Sequence, residues 1–532
     1  MNPAINSKVA NYLSAMSLIS DHLQTSKGLI LDPSGKPVKS TPYNFARSAA
    51  KKTGSMRNWT PRQITTEYQG SYEREFIASR AIDLVQSDPQ AAGTVDSMAT
   101  TVVGSGLRPY PNLDEDVLGL TEDALSKIEA AQASIFEVWA PFADVTGRLS
   151  FGQLQYLAMR SMVQFGEYLF LVHMVPDHAR PYMLALQVIH PMRLSTPGDL
   201  ISREDIKDGV EIDSYGRPKA YWIRTAAGIS EADVSANYKR VLARAGHRVR
   251  VLHGYAVRDP EQFRGVSLLA PAMKLFRDFA DYLDAELVSN IVTSAFSMFI
   301  SVGANTDPVF PSSTLATITD TGTKSDGTEY DQRYQEMVPG LIMYGSEGEQ
   351  PHPIQAQRPG VTFQPFVRVI GQSIAMSLGI PYPVLFKDFT GMNFASYRSA
   401  MLEAWRVYKQ QRTWLAAGLC QPVYRMLQEE AWLLGHLKVA KFYDQMYHIT
   451  RADWIGPPKG QIEPVKEVQA DILAIQNNLK SRTETALEAN RDHKKTVKQL
   501  AEEQRDLKAA GLDEAKFEMV EETQSEGDNE SD

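Results

Sequence analysis

The strongest constraint on how this chain can fold lies at residues 265–300, where apolar residues keep a helical period over about ten turns. Taking Phe276 as origin at 100° per residue, Leu269, Ala272, Met273, Ala280, Leu283 and Leu287 fall within about 60° of one direction. Lys274, Arg277, Asp278 and Asp281 occupy the other side. One helix of this span would reach roughly 54 Å, about three times an ordinary globular helix. Its apolar stripe calls for a bundle, a coiled coil or a ring of copies to cover it. Residues 304–360 then turn polar, rich in Thr, Ser, Gly, Pro and Gln, with one strand pair expected around 337–350. A second amphipathic helix follows at 364–379 and stops at Ile380-Pro381-Tyr382-Pro383. A polar excursion of about 60 residues between two helices is too long for a casual loop and predicts a small protruding subdomain.

The remainder reads as a mixed α+β chain. Residues 1–59 are poor in large apolar groups and predict a loose arm. Helical spacing over 72–103 is broken at Asp88-Pro89, and a further helix pair is expected at 121–140 and 150–165. The period then changes to two: 167–175, 182–190, 220–225 and 247–257 predict strands, with a hairpin tip at Asp213–Pro218. Residues 394–435 predict helix rich in Trp and Tyr, with Trp405 and Trp414 as core anchors. Charged helices with a sparse seam of Val465, Val468, Ile472, Ile475 and Leu479 follow over 463–510.

Composition narrows the function classes. The chain of 532 residues carries a formal charge of −9. Residues 513–532 hold nine carboxylates and one lysine, so the rest of the chain is nearly neutral and lacks a bulk basic signature for nucleic acid. A single cysteine excludes a disulfide framework, and Cys420, in an apolar helical run, is expected to be a buried thiol. The most apolar stretch, 287–303, falls short of a bilayer span, and the N-terminus lacks a secretory pattern; the expectation is a protein of the reducing cytoplasm with no membrane partner. No phosphate-binding GxxxxGK[ST], no HExxH and no GxSxG occurs. Gly104-Ser105-Gly106 reads as a turn, and Asp114-Glu115-Asp116 as a solvated helix start. No catalytic residue, metal ligand or cofactor is therefore assigned, and the expectation is that the chain is not an enzyme.

One cationic feature remains. On the helix from 394, Arg398, Lys409 and Arg412 lie within about 60° of one another, and Arg406 about 80° from Arg398. Before it runs the glycine-containing segment Lys387–Asn393. Such a face could follow a phosphate backbone without reading sequence, or be a solvated helix face.

Four stretches carry a resemblance. Residues 74–84, REFIASRAIDL, lead through SDPQAAGTVDSMATT into VVGSGLRPYP; residues 251–301 join a strand, an Arg-Gly turn and the long helix. The others are IAMSLGIPYPVLFKDFTGMNFASYRSAMLEAWRVYKQQR at 374–412 and residues 452–488. In this order the chain resembles the lambda-type portal proteins of tailed bacteriophages. It departs from their pattern at Ile462-Glu463-Pro464, where Asp-Pro is usual, and at Asn490-Arg491-Asp492, where a glycine turn is common.

The resemblance implies the portal fold: a mixed α/β wing (60–257 and 395–460), a stem of long helices (258–300 and 361–380), a small β-containing clip (301–360), a tunnel loop (381–394), a helical crown (461–512) and the acidic tail (513–532). It implies a homo-oligomeric ring, typically a dodecamer, at one capsid vertex, assembled in the host cytoplasm and resident in the virion. Double-stranded DNA would pass through it in packaging and ejection. Terminase large subunit, a head–tail connector protein, and the major capsid and scaffold proteins would be partners. Candidate DNA-channel residues are Lys387, Phe389, Met392, Asn393, Phe394, Arg398, Lys409 and Arg412; candidate docking residues in the clip are Tyr330, Arg333, Tyr334, Tyr344, Glu347 and Glu349. Two other readings compete: a phage metal-dependent nuclease using Asp278, Asp281 and Asp284, and a cytoplasmic helical scaffold with no DNA role.

Overall fold

The computed structural model describes residues 66–225, 237–300, 318–323, 329–334, 341–344, 363–460 and 463–509. The expected N-terminal arm and acidic tail lie outside these residues. The first two helices are α1 (Thr66–Ser87) and α2 (Pro89–Val103), separated where Asp88 accepts a hydrogen bond from the Ala91 N–H at 2.7 Å and Pro89 takes the first helical position. Strand β1 (Arg108–Pro111) and a single turn N-capped by Asp114 follow. Helix α3 (Glu122–Trp139) precedes α4 (Phe151–Phe165), which starts on a Ser150/Gln153 capping box and ends on Gly166 in the left-handed conformation.

Strands β2 (Glu167–Met174) and β3 (Leu184–Ile189) belong to one antiparallel sheet with β10 (Val251–Tyr255), in the order β10-β2-β3. Between them in sequence, β4 (Ile206–Lys207), β5 (Val210–Ile212), β6 (Pro218–Arg224) and β7 (Tyr238–Leu242) form a second antiparallel sheet. A short hairpin joins β8 (Arg244–Ala245) to β9 (Arg248–Val249).

Alternation along β2 explains how the layers stack. Tyr168 and Phe170 face the main core, with α2, α3 and α4 on that side; Leu169 and Leu171 face a second cluster with Leu194, Val210, Tyr221 and Val241. The sheet is thus buried on both faces, which is why β2 reads as an almost unbroken apolar run.

The long helix is shorter than its sequence period suggests. Helix α5 spans Met273–Ala295, 23 residues, or roughly 34 Å. Before it, Leu268–Ala272 fold as tight turns, with Ala272 N–H donating to Leu269 O at 2.8 Å, and Pro271 cannot supply the N–H an earlier helix would need. After it, Phe296–Ile300 form β11, where the period of the sequence drops to two. The expected stripe also divides. Leu269, Ala272 and Phe276 are fully buried, whereas Leu287, Val288 and Ile291 are exposed.

Strands β12 (Ile318–Thr323) and β13 (Glu329–Tyr334) pair antiparallel, and β14 (Leu341–Tyr344) runs parallel to β11. Of the strand pair expected around 337–350, the described residues include β14, whose partner is β11 at 296–300; the rest of that stretch lies outside the described residues. Helix α6 (Phe363–Leu378) returns beside α5, where Tyr282 stacks on Phe363 at 5.7 Å and meets Phe366 edge-on at 5.0 Å.

Helix α7 (Phe394–Leu415) continues through one π-turn, Ala416–Cys420, into α8 (Gln421–Leu433). Their apolar residues from Ala404 to Ala431 join the same core as α2–α4, so segments over 300 residues apart in sequence share one interior. Strand β15 (Ala452–Ile455) pairs antiparallel with β1. Cys420 is fully buried, and burial pushes its thiol well above the ordinary range, as expected of an inert core residue.

Helices α9 (Pro464–Gln476), α10 (Arg482–Glu488) and α11 (His493–Ala509) bury none of their residues. Lys494 pairs with Glu129, and Lys495 with Glu137 at 3.2 Å, tying the start of α11 to α3. Asn490 stands in the left-handed region at φ 60°, supplying the conformation that the resemblance associates with glycine.

Candidate nucleic-acid interface

The segment between α6 and α7 is built on aromatic contacts. Tyr382 stacks on Phe386 at 5.1 Å and donates its hydroxyl to Asp388 Oδ2 at 3.1 Å. Asp388 also accepts from the Thr390 N–H, and these hydrogen bonds hold its carboxyl below the usual aspartate range. Lys387 adopts φ 55°, uncommon for a residue with a Cβ, and its side chain is exposed. Phe389 meets Tyr397 edge-on at 5.1 Å, and Asn393 N-caps α7 through Ser396 N–H at 2.8 Å. Phe389 and Phe394 remain 43% and 48% exposed, and Met392 is half-buried. Asn393 thus has a structural duty, while Lys387, Phe389 and Phe394 are exposed.

The basic face of α7 is not one surface. Lys409 is exposed, and half-buried Arg398 lies 3.9 Å from Glu463. Arg406 pairs with Glu403 at 2.9 Å. Arg412 is taken out of the set. Its guanidinium donates to Val102 O at 3.1 Å and Thr101 O at 3.3 Å, lies over the Trp405 ring at 5.1 Å, and packs on Gly456. Burial pushes its pKa down to about 10, so it stays charged at neutral pH and serves the open carbonyls at the end of α2. Helical spacing reports direction around an axis; it does not say what another helix end brings to that direction. Trp405 is partly buried as anticipated, whereas Trp414 is 38% exposed and is not a core anchor.

Sequence reasoning missed an ionic cluster where the α/β layers meet the run into α5. Arg264 donates to both oxygens of Glu167, at 2.6 and 3.0 Å, and to the carbonyls of Leu194, Asp208 and Pro191. Glu167 also receives the Gly265 N–H at 2.8 Å and lies 3.0 Å from His253 Nε2. Arg74 reaches in from α1 to hold Asp208 at 2.6 and 3.0 Å. Burial alone would raise the Glu167 carboxyl, but Arg264 and His253 more than offset it and hold it well below the usual range.

A close backbone approach makes this cluster possible. A Cβ on Gly166, at φ 86°, would fall 2.2 Å from the Val266 carbonyl, and one on Gly265 would fall 2.2 Å from Gly166 O. The five side chains come from positions 74, 167, 208, 253 and 264, so no local motif announces them.

Of the docking candidates, Tyr330, Arg333 and Tyr334 lie on β13 and Tyr344 on β14; Glu347 and Glu349 fall outside the described residues. Asp278 and Asp281 pair with Lys274 and Arg277 one turn earlier, at 2.6 and 3.3 Å. Among the described residues no group of three or more His, Cys, Asp or Glu could hold a metal ion, and no helix is long and apolar enough to cross a membrane.

Residues 52–412 match the family model described as "Phage portal protein, lambda family", which spans α1 through α7. The chain belongs to this portal family. The match is to a structural component of phage, not to a family of catalysts. Among relatives of the portal family, the probable portal protein of Halomonas phage phiHAP-1 is 25% identical over 378 residues, covering 69% of this chain and 68% of its own. The portal protein of Escherichia phage N15 is 21% identical over 475 residues, and portal protein B of Escherichia phage lambda 20% over 478; each alignment covers 86% of this chain and 89% of the relative. Among solved structures, the neck of a native gene transfer agent particle computed with C12 symmetry gives a TM-score of 0.38 at 14% identity, covering 77% of this chain and 91% of that one. The neck of the empty particle computed with C6 symmetry gives 0.39 at 14% identity, covering 79% and 93%.

Proposed function

We propose that this portal-family chain assembles as a ring of about twelve copies at one capsid vertex of a tailed phage, through which double-stranded DNA is packaged and ejected. The observation that carries this reading is the family match running unbroken through the long helix, the excursion beyond it and the return into α7. In the same reading, residues 60–257 and 395–460 form the wing, 258–300 and 361–380 (with α5 and α6) the stem, 301–360 the clip, 381–394 the tunnel loop and 461–512 the crown. The clip, with Tyr330, Arg333, Tyr334, Tyr344, Glu347 and Glu349, receives terminase large subunit and later a head–tail connector protein. The ring assembles in the host cytoplasm with capsid and scaffold proteins and remains in the virion.

Two physical observations support the ring. Leu287, Val288 and Ile291 on α5, with Phe366, Val369 and Met376 on α6, leave the stem helices with exposed apolar sides that neighbouring copies would cover. The channel needs cations that are few and unengaged, because each neutralised phosphate adds to binding and would slow a sliding duplex. Lys387 and Lys409 answer to that description, and Arg398 nearly so, with only a loose contact to Glu463 at 3.9 Å among the described residues; Phe389 and Phe394 are exposed beside the loop. Arg412 does not.

Electron microscopy of the purified chain tests the reading. Rings with an open axial channel are expected. A monomer in the presence of assembly partners would overturn it, and filaments or solid clusters would favour the helical scaffold.

A further inference from the structure

We propose that the acidic C-terminal tail of this chain docks, through residues 514–522, into a cleft between the β10-β2-β3 sheet, the β8–β9 hairpin and the end of α8. The cleft encloses about 430 Å³ and is floored by Val172, Met174, Met183, Val249, Leu433 and Leu434. Of these, Met174, Met183, Leu433 and Leu434 each leave 40% or more of their surface exposed, which is unusual for large apolar groups gathered in one hollow.

The rim is cationic. Arg248 and Arg250 line the cleft, and Arg244 stands opposite Val249 in the hairpin. Arg425 lies over the Tyr447 ring at 4.4 Å, close enough to Arg244 for the two charges to act on each other. The two carboxylates of the cleft are already spent. Glu429 accepts from Arg248 Nε at 3.1 Å and Tyr443 Oη at 2.9 Å and lies 2.8 Å from His247 Nε2. Glu430 accepts the N–H groups of Met183 and Leu184, at 2.6 and 3.0 Å. Among the described residues, Arg244 and Arg250 have no ion-pair partner.

A cationic rim over an apolar floor selects an occupant with both characters. A duplex backbone would use the arginines and leave the floor in water. The chain's own C-terminus has both: Phe517, Met519 and Val520 are set among Glu514, Glu518, Glu521 and Glu522, within a segment of nine carboxylates and one lysine. From Ala509, where α11 ends, Phe517 is eight residues on and can reach about 26 Å at ~3.3 Å each. The gain is twofold, burial of apolar surface and pairing of the exposed Arg244 and Arg250.

Photo-crosslinking in the full-length protein tests the proposal, with Phe517 replaced by p-benzoylphenylalanine. Cross-links are expected on residues 172–184, 244–250 or 426–434. Their yield should fall about tenfold in Arg244→Glu/Arg250→Glu and in Leu434→Ser, and decline with added salt. Cross-links located elsewhere overturn the proposal. So does an unchanged yield in variants that melt like the parent protein. If the double charge reversal does not fold, Leu434→Ser and the salt series on the unaltered cleft decide the question.

Discussion

Around Glu167 the charges are buried and each cation is matched to acceptors; along α7 and the loop before it, Lys387 and Lys409 stand in solvent and Arg398 is half-exposed with a distant partner. The second is visible as a cationic helix face in sequence, whereas the first is assembled from five scattered positions, and only the structure shows what each does. A buried charge is costly to desolvate, so it persists only where hydrogen bonds surround it, and its work is then to hold elements in place. An exposed cation holds little and is free to meet a polyanion. Arg412 belongs by sequence to the second group and by environment to the first.

The sharpest way to break this comparison is at its buried end. Arg264→Met leaves Glu167 in the interior without its main counter-charge and should cost about 3–5 kcal/mol, read by urea denaturation. An unfolding midpoint equal to that of the parent would show that the cluster holds nothing. A pH series follows from the same carboxyl. The folded-state value of Glu167 is depressed, so its stabilisation is fully present above the unfolded glutamate value, about 4.3, and is lost as pH falls through the lower folded value. Melting temperatures below about pH 4.3 should therefore fall more steeply in the parent than in Glu167→Gln, and parallel curves would remove the carboxyl from the account. Arg412→Ala comes next, at about 2 kcal/mol, because two carbonyls at the end of α2 lose their donor. Lysine should not restore it, lacking the planar fork that serves two oxygens over an indole ring.

How much of this was legible in the sequence follows the range of the interactions. Caps and breaks were readable because they act within a turn: Asp88-Pro89 divides two helices, and Asp114 caps where the acidic triplet begins. The buried strands were readable from β-rich runs, and Cys420 from its apolar neighbours. The ends of α5 were not, because helical period continues through Leu269 and Ala272 although the backbone there turns before Pro271. The parallel partner of β14 lies over 40 residues away and leaves no trace in local alternation. The Glu167 cluster needed five residues drawn from five places. What located the candidate channel segment was likeness to a family, and what corrected it was the surroundings of Arg412.

The exposed end of the comparison carries smaller expected effects on folding and a separate readout. Phage carrying Lys387→Ala should assemble rings with the parent's melting temperature yet package or retain less DNA; parental packaging yields would remove Lys387 from the channel. For Arg398→Ala/Lys409→Ala, stability should change by no more than about 0.5 kcal/mol, since the one ion pair involved, Arg398–Glu463 at 3.9 Å, is half-exposed and loose. If both meet phosphates, the slope of log K against log salt for duplex binding should shrink by about two. Arg412→Ala should do the reverse, lowering stability while leaving that slope unchanged. A slope that moves with Arg412 and not with the exposed pair would mean that spacing along the helix, and not exposure, decides which cation reaches the DNA.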